Sequence, residues 1–174
     1  MGFKLGKNKV RKTIEHKYFP KDRYELNEIL EQRLAEDKNA DLNDIDVSKI
    51  DNMSYLFENL DPHNIDVSDW DVSNVTNMSG MFSGNSECEP KGLKNWYTGK
   101  VTDMSQMFYL CRKFTGKDIE NWDVSNVRSM AYMFYDCKKF DSNLNNWNIL
   151  NDTDVYCMFY GCDSLKNKPS WYKN

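Results

Sequence analysis

Hydrophobic and polar positions follow one fixed order along most of this chain. The stretch Trp70-Asp71-Val72-Ser73-Asn74-Val75-Thr76-Asn77-Met78-Ser79-Gly80-Met81-Phe82 returns as Trp122-Asp123-Val124-Ser125-Asn126-Val127-Arg128-Ser129-Met130-Ala131-Tyr132-Met133-Phe134. Looser copies run over 45–57, 96–108 and 147–159. The closing Phe residues fall at 57, 82, 108, 134 and 159, in steps of 25, 26, 26 and 25. Steps so constant mark an internal repeat, which has to be recognised before any fold is argued. The rest of each unit repeats too. Cys111, Cys137 and Cys162 each follow a closing Phe by three residues, and Phe114, Phe140 and Leu165 follow those by three more. Val67, Leu93, Ile119 and Leu144 each precede the next Trp by three.

A unit of 25–26 residues is too short for a helical hairpin and fits one strand plus a short helix or turn. The fold class expected is therefore α/β: a leucine-rich-repeat-like solenoid of about five coils of 25–26 residues with an N-terminal capping helix. One coil cannot bury its apolar side alone, so stacking should set Trp on Trp, Met on Met and Phe on Phe. The strand is placed near Ile119–Val124 and its equivalents, and the helical turn near Met130–Cys137 and its equivalents. Ser125-Asn126 and Ser73-Asn74 carry turn chemistry, since short polar side chains bond nearby backbone.

The ends divide the chain further. Residues 1–19 read as a basic arm, 20–44 as a helical cap, 45–162 as the repeat array and 163–174 as a closing cap. In the first cap, apolar positions 26, 29, 30 and 34 share one helical face, Pro20 precedes them, and Asp22 and Glu25 suit a first helical turn. Trp171 stands where a further repeat Trp would fall. The stretch Ser83–Gly92 keeps the length but loses the Phe-x-x-Cys spacing, because Cys88 comes six residues after Phe82. It reads as an irregular loop of the kind that carries function.

Charge is uneven. Lys4, Lys7, Lys9, Arg11, Lys12 and Lys17 against Glu15 give the first 17 residues +5, which leaves −9 for the rest of a chain whose net charge is −4. Such an arm allows contact with nucleic acid or an acidic partner, through Lys9, Arg11 and Lys12 in particular. No stretch has the roughly 20 apolar residues of a membrane helix, so no membrane span is expected. The opening residues hold no apolar core of the secretory kind. The sequence as written is thus expected to be cytoplasmic, or at the cell surface if it is a trimmed fragment. Five cysteines, an odd number, argue against a disulfide framework.

The units resemble the 26-residue repeats of BspA-like bacterial surface proteins, a family also described in mycoplasma lipoproteins. Trp70–Phe82 and Trp122–Phe134 carry that resemblance most closely, and it extends over about residues 18–165. The resemblance implies a leucine-rich-repeat-like solenoid, and adhesion or other protein binding, usually at a cell surface.

Little in the chain carries chemistry. There are two histidines, His16 and His63, and no Cys-x-x-Cys pair, so no metal, cofactor or catalytic group is expected. Cys111, Cys137 and Cys162 read as small hydrophobes filling a buried corner. The Asp residues of 41–46 and 66–71 lack the glycine and terminal Glu of a calcium loop. Alternation around the buried Trp positions leaves one candidate binding strip: Asp69, Asp71, Asn95, Tyr97, Asn121, Asp123, Asn146 and Asn148. It is polar and acidic and would suit a basic partner. The function expected is a non-enzymatic protein-binding module that engages another protein or protein complex. The alternatives are an inhibitor of a host defence complex encoded by a phage or mobile element, and a fragment of an extracellular adhesin.

Overall fold

The computed structural model of the protein describes residues 15–173. Lys9, Arg11 and Lys12 of the basic arm lie outside the described residues.

The chain opens with the helix that the apolar spacing predicts. Helix α1 spans Arg23–Glu36. Asp22 caps it, its side chain accepting from the N–H groups of Tyr24 and Glu25 at 2.8 and 3.0 Å, so two otherwise unpaired amides are satisfied. Leu26, Leu30 and Leu34 are buried in the core. Arg33 ties the helix to the entry of the first coil, 2.8 Å from the Asp44 carboxylate and 2.6 Å from the Asp41 carbonyl.

Beyond α1 the expected α/β class is overturned. Apart from a short 3-10 helix at Leu93–Asn95, the described residues contain no further helix, and they contain no strand. Sheet-like pairing between the coils is limited, among the described residues, to isolated parallel bridges, one column joining Asn52, Asn77, Asp103, Ser129 and Asp154 and another Asp41, Asp66 and Lys91. The strand placed at Ile119–Val124 and the helical turn placed at Met130–Cys137 do not form. The molecule is not a leucine-rich-repeat-like α/β solenoid.

The backbone shows why. Each coil is a run of β-turns, and the apolar residues sit at their corners. Trp122 N–H donates to Ile119 O, Val127 to Val124 O, Met133 to Met130 O, Cys137 to Phe134 O and Phe140 to Cys137 O, at 3.0–3.1 Å. Every three-residue spacing that recurs in the sequence is one such turn. Each coil also passes through the left-handed region: Tyr55 and Asn59, Gln106 and Leu110, Tyr132 and Asp136, Cys157, and the glycines Gly80, Gly84 and Gly161. Two positive φ values four residues apart exclude both a continuing strand and a continuing helix.

Coils join by backbone bonds at alternate positions. Met130, Tyr132, Phe134 and Asp136 N–H groups donate to Asp154, Tyr156, Met158 and Tyr160 carbonyls at 2.7–3.0 Å. The equivalent residues bond at the two boundaries before it, and Met53, Tyr55 and Phe57 do so at the first. The core is a set of columns. Phe57, Phe82, Phe108, Phe134 and Phe159 stack with ring centroids 4.9–5.9 Å apart. The indoles of Trp70, Trp96 and Trp122 stack at 6.5 and 6.1 Å, and Trp147 and Trp171 at 6.4 Å. Each indole N–H donates to a carbonyl of the coil before: Trp70 to Leu42, Trp96 to Val67, Trp122 to Leu93, Trp147 to Ile119 and Trp171 to Leu144. Trp171 does occupy the next Trp position.

Residues 83–92 are not an irregular loop. Asn85 is buried and fills the cysteine position of its coil. Cys111, Cys137 and Cys162 each present Sγ 2.9–3.0 Å from the Phe carbonyl one coil back. Asn85 Nδ2 makes the same bond to Phe57 O at 3.0 Å. Cys88 then falls at the position of Phe114 and Phe140, and its N–H closes a turn on Asn85 O at 3.1 Å. An amide and a thiol both donate from this corner, which is why a coil without Phe-x-x-Cys keeps its shape.

Two glycines separate conformational from steric need. Gly84 (φ 80°) has open space where a methyl would go, whereas at Gly92 (φ 89°) a methyl would collide with Ser68 backbone and side chain. Gly84→Ala should lower stability by about 1 kcal/mol, the left-handed penalty alone. Gly92→Ala should lower it by well over ~2 kcal/mol, and urea unfolding of both variants measures the gap.

Candidate protein-interaction surface

The strip drawn from sequence is exposed at all eight of its positions. Three of its side chains, those of Asp71, Asn95 and Asp123, are hydrogen-bonded within the stack. Asp71 Oδ1 accepts from Ser73 N–H at 3.0 Å, and Asp123 Oδ1 accepts from the Ser125 N–H and hydroxyl at 3.0 and 2.6 Å. These bonds hold the Asp123 carboxyl below the ordinary carboxylate range. Asn95 Nδ2 donates to Ser68 O of the preceding coil at 2.9 Å. Tyr97 and Asp123 converge over Gly99, where a methyl would lie 3.1 Å from the phenol oxygen and 2.9 Å from a carboxylate oxygen. Asp69, Asn121, Asn146 and Asn148 are exposed neighbours of the buried Trp positions.

A second surface escaped the sequence reading. Tyr109, Tyr135 and Tyr160 stack in a column, with centroids 5.1 and 4.8 Å apart and planes within 25° and 15°. Tyr132 lies 5.8 Å from Tyr135 and 5.3 Å from Tyr156. Five tyrosines thus share one face, and Tyr156 and Tyr160 are each 62% exposed. Crowding is felt electrostatically: removal from water first, then Tyr160 and Tyr109, raises the Tyr135 phenol. The repeat does not demand these residues. Glu58 and Ser83 hold the Tyr109 position in the first two coils, and Ser54, Ser79, Ser105 and Ala131 hold the Tyr156 position. The signal was present in the sequence as a run of Tyr at 25–26-residue spacing over the last three coils, masked by the stronger apolar register.

The cysteines fall into two groups. Cys88, Cys111, Cys137 and Cys162 are buried and free. Burial pushes the Cys88, Cys111 and Cys137 thiols well above the ordinary thiol range and that of Cys162 up to about 12. Such thiols are poor nucleophiles. Cys157 is partly exposed beside Tyr156. Among the described residues, no group of three or more His, Cys, Asp or Glu side chains is placed to hold a metal ion, and no helix is long and apolar enough to cross a membrane.

The fold and these surfaces define a protein of stacked turn-built repeats with a partly exposed tyrosine column and an exposed polar strip. The chain belongs to the family described as "Mycoplasma protein of unknown function, DUF285", which matches it twice, over residues 25–115 and 84–174. No curated protein and no solved structure matches it.

The site chemistry makes two outcomes measurable. Iodoacetamide under native conditions should label Cys157 and leave the other four thiols, and peptide mass spectrometry after quenching reads the pattern. Acid should destabilise the protein. Asp44 and Asp66 are held low by charged or hydrogen-bonding partners (Arg33 for Asp44, Ser68 and Asn43 for Asp66) that outweigh the opposing cost of burial, and the Ser48 and Ser125 bonds lower Asp46 and Asp123. A depressed carboxylate contributes its full stability above the unfolded value near 3.9 and loses it as pH falls through the folded value. Unfolding midpoints should therefore be flat down to about pH 5 and drop steeply below about pH 4.

Proposed function

We propose that this protein is a non-enzymatic protein-binding module that engages a macromolecular partner through the side of its repeat stack. The observation that carries the reading is the tyrosine face of Tyr109, Tyr132, Tyr135, Tyr156 and Tyr160. Tyrosine is enriched at binding hot spots because it buries a large rigid ring and keeps a polar tip at low entropic cost. A fold that accepts Glu, Ser, Gly or Gln at these positions has no internal need for an aromatic there. The rungs hold the rings at about 5 Å spacing, close to the spacing of paired strands. The face is therefore preorganised, which lowers the cost of ordering on binding.

The BspA-like likeness of the repeats supports the same reading, since it implies adhesion or other protein binding. The exposed Asp and Asn strip is a second, more polar surface of the same stack, and it would take a basic partner.

The test is capture of partners from the cells of origin on immobilised wild-type protein and on Tyr109→Ser/Tyr135→Ser. Loss of the tyrosines should weaken capture about tenfold or more, with the melting temperature shifted by only a few degrees. A variant with Asp69, Asp71, Tyr97 and Asp123 replaced should retain capture. Equal capture by wild type and the tyrosine variant would remove this face from the account, and loss in the strip variant alone would transfer the role to the strip.

A further inference from the structure

Residues 164–171 do not pack on the coil before them as that coil packs on its own predecessor. The path from the core Phe to the next Trp takes fourteen positions at Phe108–Trp122, thirteen at Phe134–Trp147 and twelve at Phe159–Trp171. Leu165 also stands where Phe114 and Phe140 stand, closing the same turn on Cys162 O at 3.1 Å with a smaller side chain. The short path is pinned at both ends. Ser164 N–H and hydroxyl donate to Lys138 O at 3.2 and 2.8 Å, Ser170 N–H to Asn145 Oδ1 at 2.9 Å, and the Trp171 indole to Leu144 O at 2.8 Å. Between the pins the two rungs part. Lys139 and Asp141 N–H groups reach the coil before theirs, at Arg112 O and Thr115 O, but the Lys166 and Asn167 N–H groups make no such bond among the described residues. The gap is a cavity of about 250 Å³, walled by residues 141–145 on one side and by residues 165–167 and Pro169 on the other.

We propose that this cavity binds a single uncharged sugar ring, held between the side chains of the two rungs. The inference goes beyond the protein-binding reading and uses none of the tyrosines that carry it. Three features select the ligand. The first is size: the cavity lies below the roughly 300–1,000 Å³ of drug-sized pockets, so one ring fills it. The second is the balance of polar groups. The two charged side chains of the lining, the Asp141 carboxylate and the Lys166 ammonium, are opposite in sign, and neither is in an ion pair among the described residues. Together they disfavour a net anion and a net cation alike. They suit neighbouring hydroxyls, each of which donates to a carboxylate and accepts from an ammonium. The Asn143 and Asn145 side-chain oxygens are spent on Asn145 and on Ser170, which leaves the Asn143 Nδ2 donor and the whole Asn167 amide for a ligand. The third is Ser142. It lines the cavity, is 7% exposed, and carries the one buried side-chain oxygen among the described residues that has no hydrogen-bond partner. Buried hydroxyls are nearly always paired, and a sugar hydroxyl supplies the partner. Leu144, Leu165 and Pro169 complete the lining with an apolar surface for the C–H face of the ring.

The probes are glucose, galactose and N-acetylglucosamine, each also as its methyl glycoside, titrated to about 50 mM into the full-length, nitrogen-15-labelled protein. At least one should shift the amide resonances of residues 141–145 and 165–170. Binding of the glycoside identifies the end of a glycan as the ligand, and binding of the free sugar alone identifies a free monosaccharide. Asp141→Ala/Asn167→Ala removes two exposed, unpaired side chains and should weaken binding at least about tenfold with the melting temperature unchanged. Leu165→Phe restores the ring of the Phe114 and Phe140 column, fills the space and should abolish binding while raising the melting temperature. The alanine variant leaves the core intact, so the test stands even if the phenylalanine variant unfolds. Tyr109→Ser/Tyr135→Ser should leave this titration unchanged, which separates failure here from failure of the tyrosine face. The proposal is overturned by no shift with any of the sugars, by shifts confined to other parts of the molecule, or by undiminished binding to the alanine variant. It is also overturned if glycine shifts the same amides more than every sugar does, because the occupant would then be a small molecule carrying both charges.

Discussion

Across the Met-to-Cys half of each coil, backbone N–H groups divide their partners by parity. Met130, Tyr132, Phe134 and Asp136 reach into the next coil, while Met133, Tyr135 and Cys137 turn back three residues within their own. The rest of the structure depends on this division. A buried amide without a partner costs about 1–3 kcal/mol, and a thin coil with apolar residues at nearly every corner has little water to offer. The left-handed residues two positions after the first Met position, and four further on, make the alternation possible, because they swing the chain so that both sets of donors find carbonyls. Several non-glycine residues, Tyr55, Gln106, Tyr132 and Cys157 among them, accept that conformation here, at roughly 1–2 kcal/mol each. The stacking bonds and ring columns outweigh that cost.

The columns come from the same register. A side chain at a turn corner meets its own equivalent one rung away, so like packs on like. Phenylalanine and tryptophan stack well at 4.9 and 6.1 Å, and indole and thiol donors close the inner carbonyls of the coil before. Asn85 shows that the corner is defined by its donor and not by its residue type. Outside the core the register still aligns side chains in rows, but it constrains residue type less. Residue type there can therefore change from coil to coil without disturbing the stack, as it does along the tyrosine column.

Sequence made the repeat, its step, helix α1 and the buried columns legible, because burial imposes a periodic constraint on residue type. It misled on the class of fold. A 25–26-residue period is compatible with strand-and-turn coils, and the left-handed positions that exclude strands fall on Tyr55, Gln106, Leu110, Tyr132, Asp136 and Cys157, residues that carry no glycine-like signature. Three-residue spacings between Ile119 and Trp122, or Phe134 and Cys137, were the available clue, since a turn closes over three residues and a strand repeats over two. The exposed strip was found because it flanks the recurring Trp corners. The tyrosine face was not, because its repeat is partial.

Amide-resolved hydrogen exchange on the native protein tests the turn-built stack most directly. Between Ile119 and Val124 only the Trp122 N–H is hydrogen-bonded, whereas the donors at 104, 106, 108 and 110 and at 130, 132, 134 and 136 all cross between coils. Exchange should be slow at Trp122 and at those eight positions, and fast at Glu120, Asn121 and Asp123. Protection at alternate residues through 119–124, as a strand paired in a sheet would give, would contradict it.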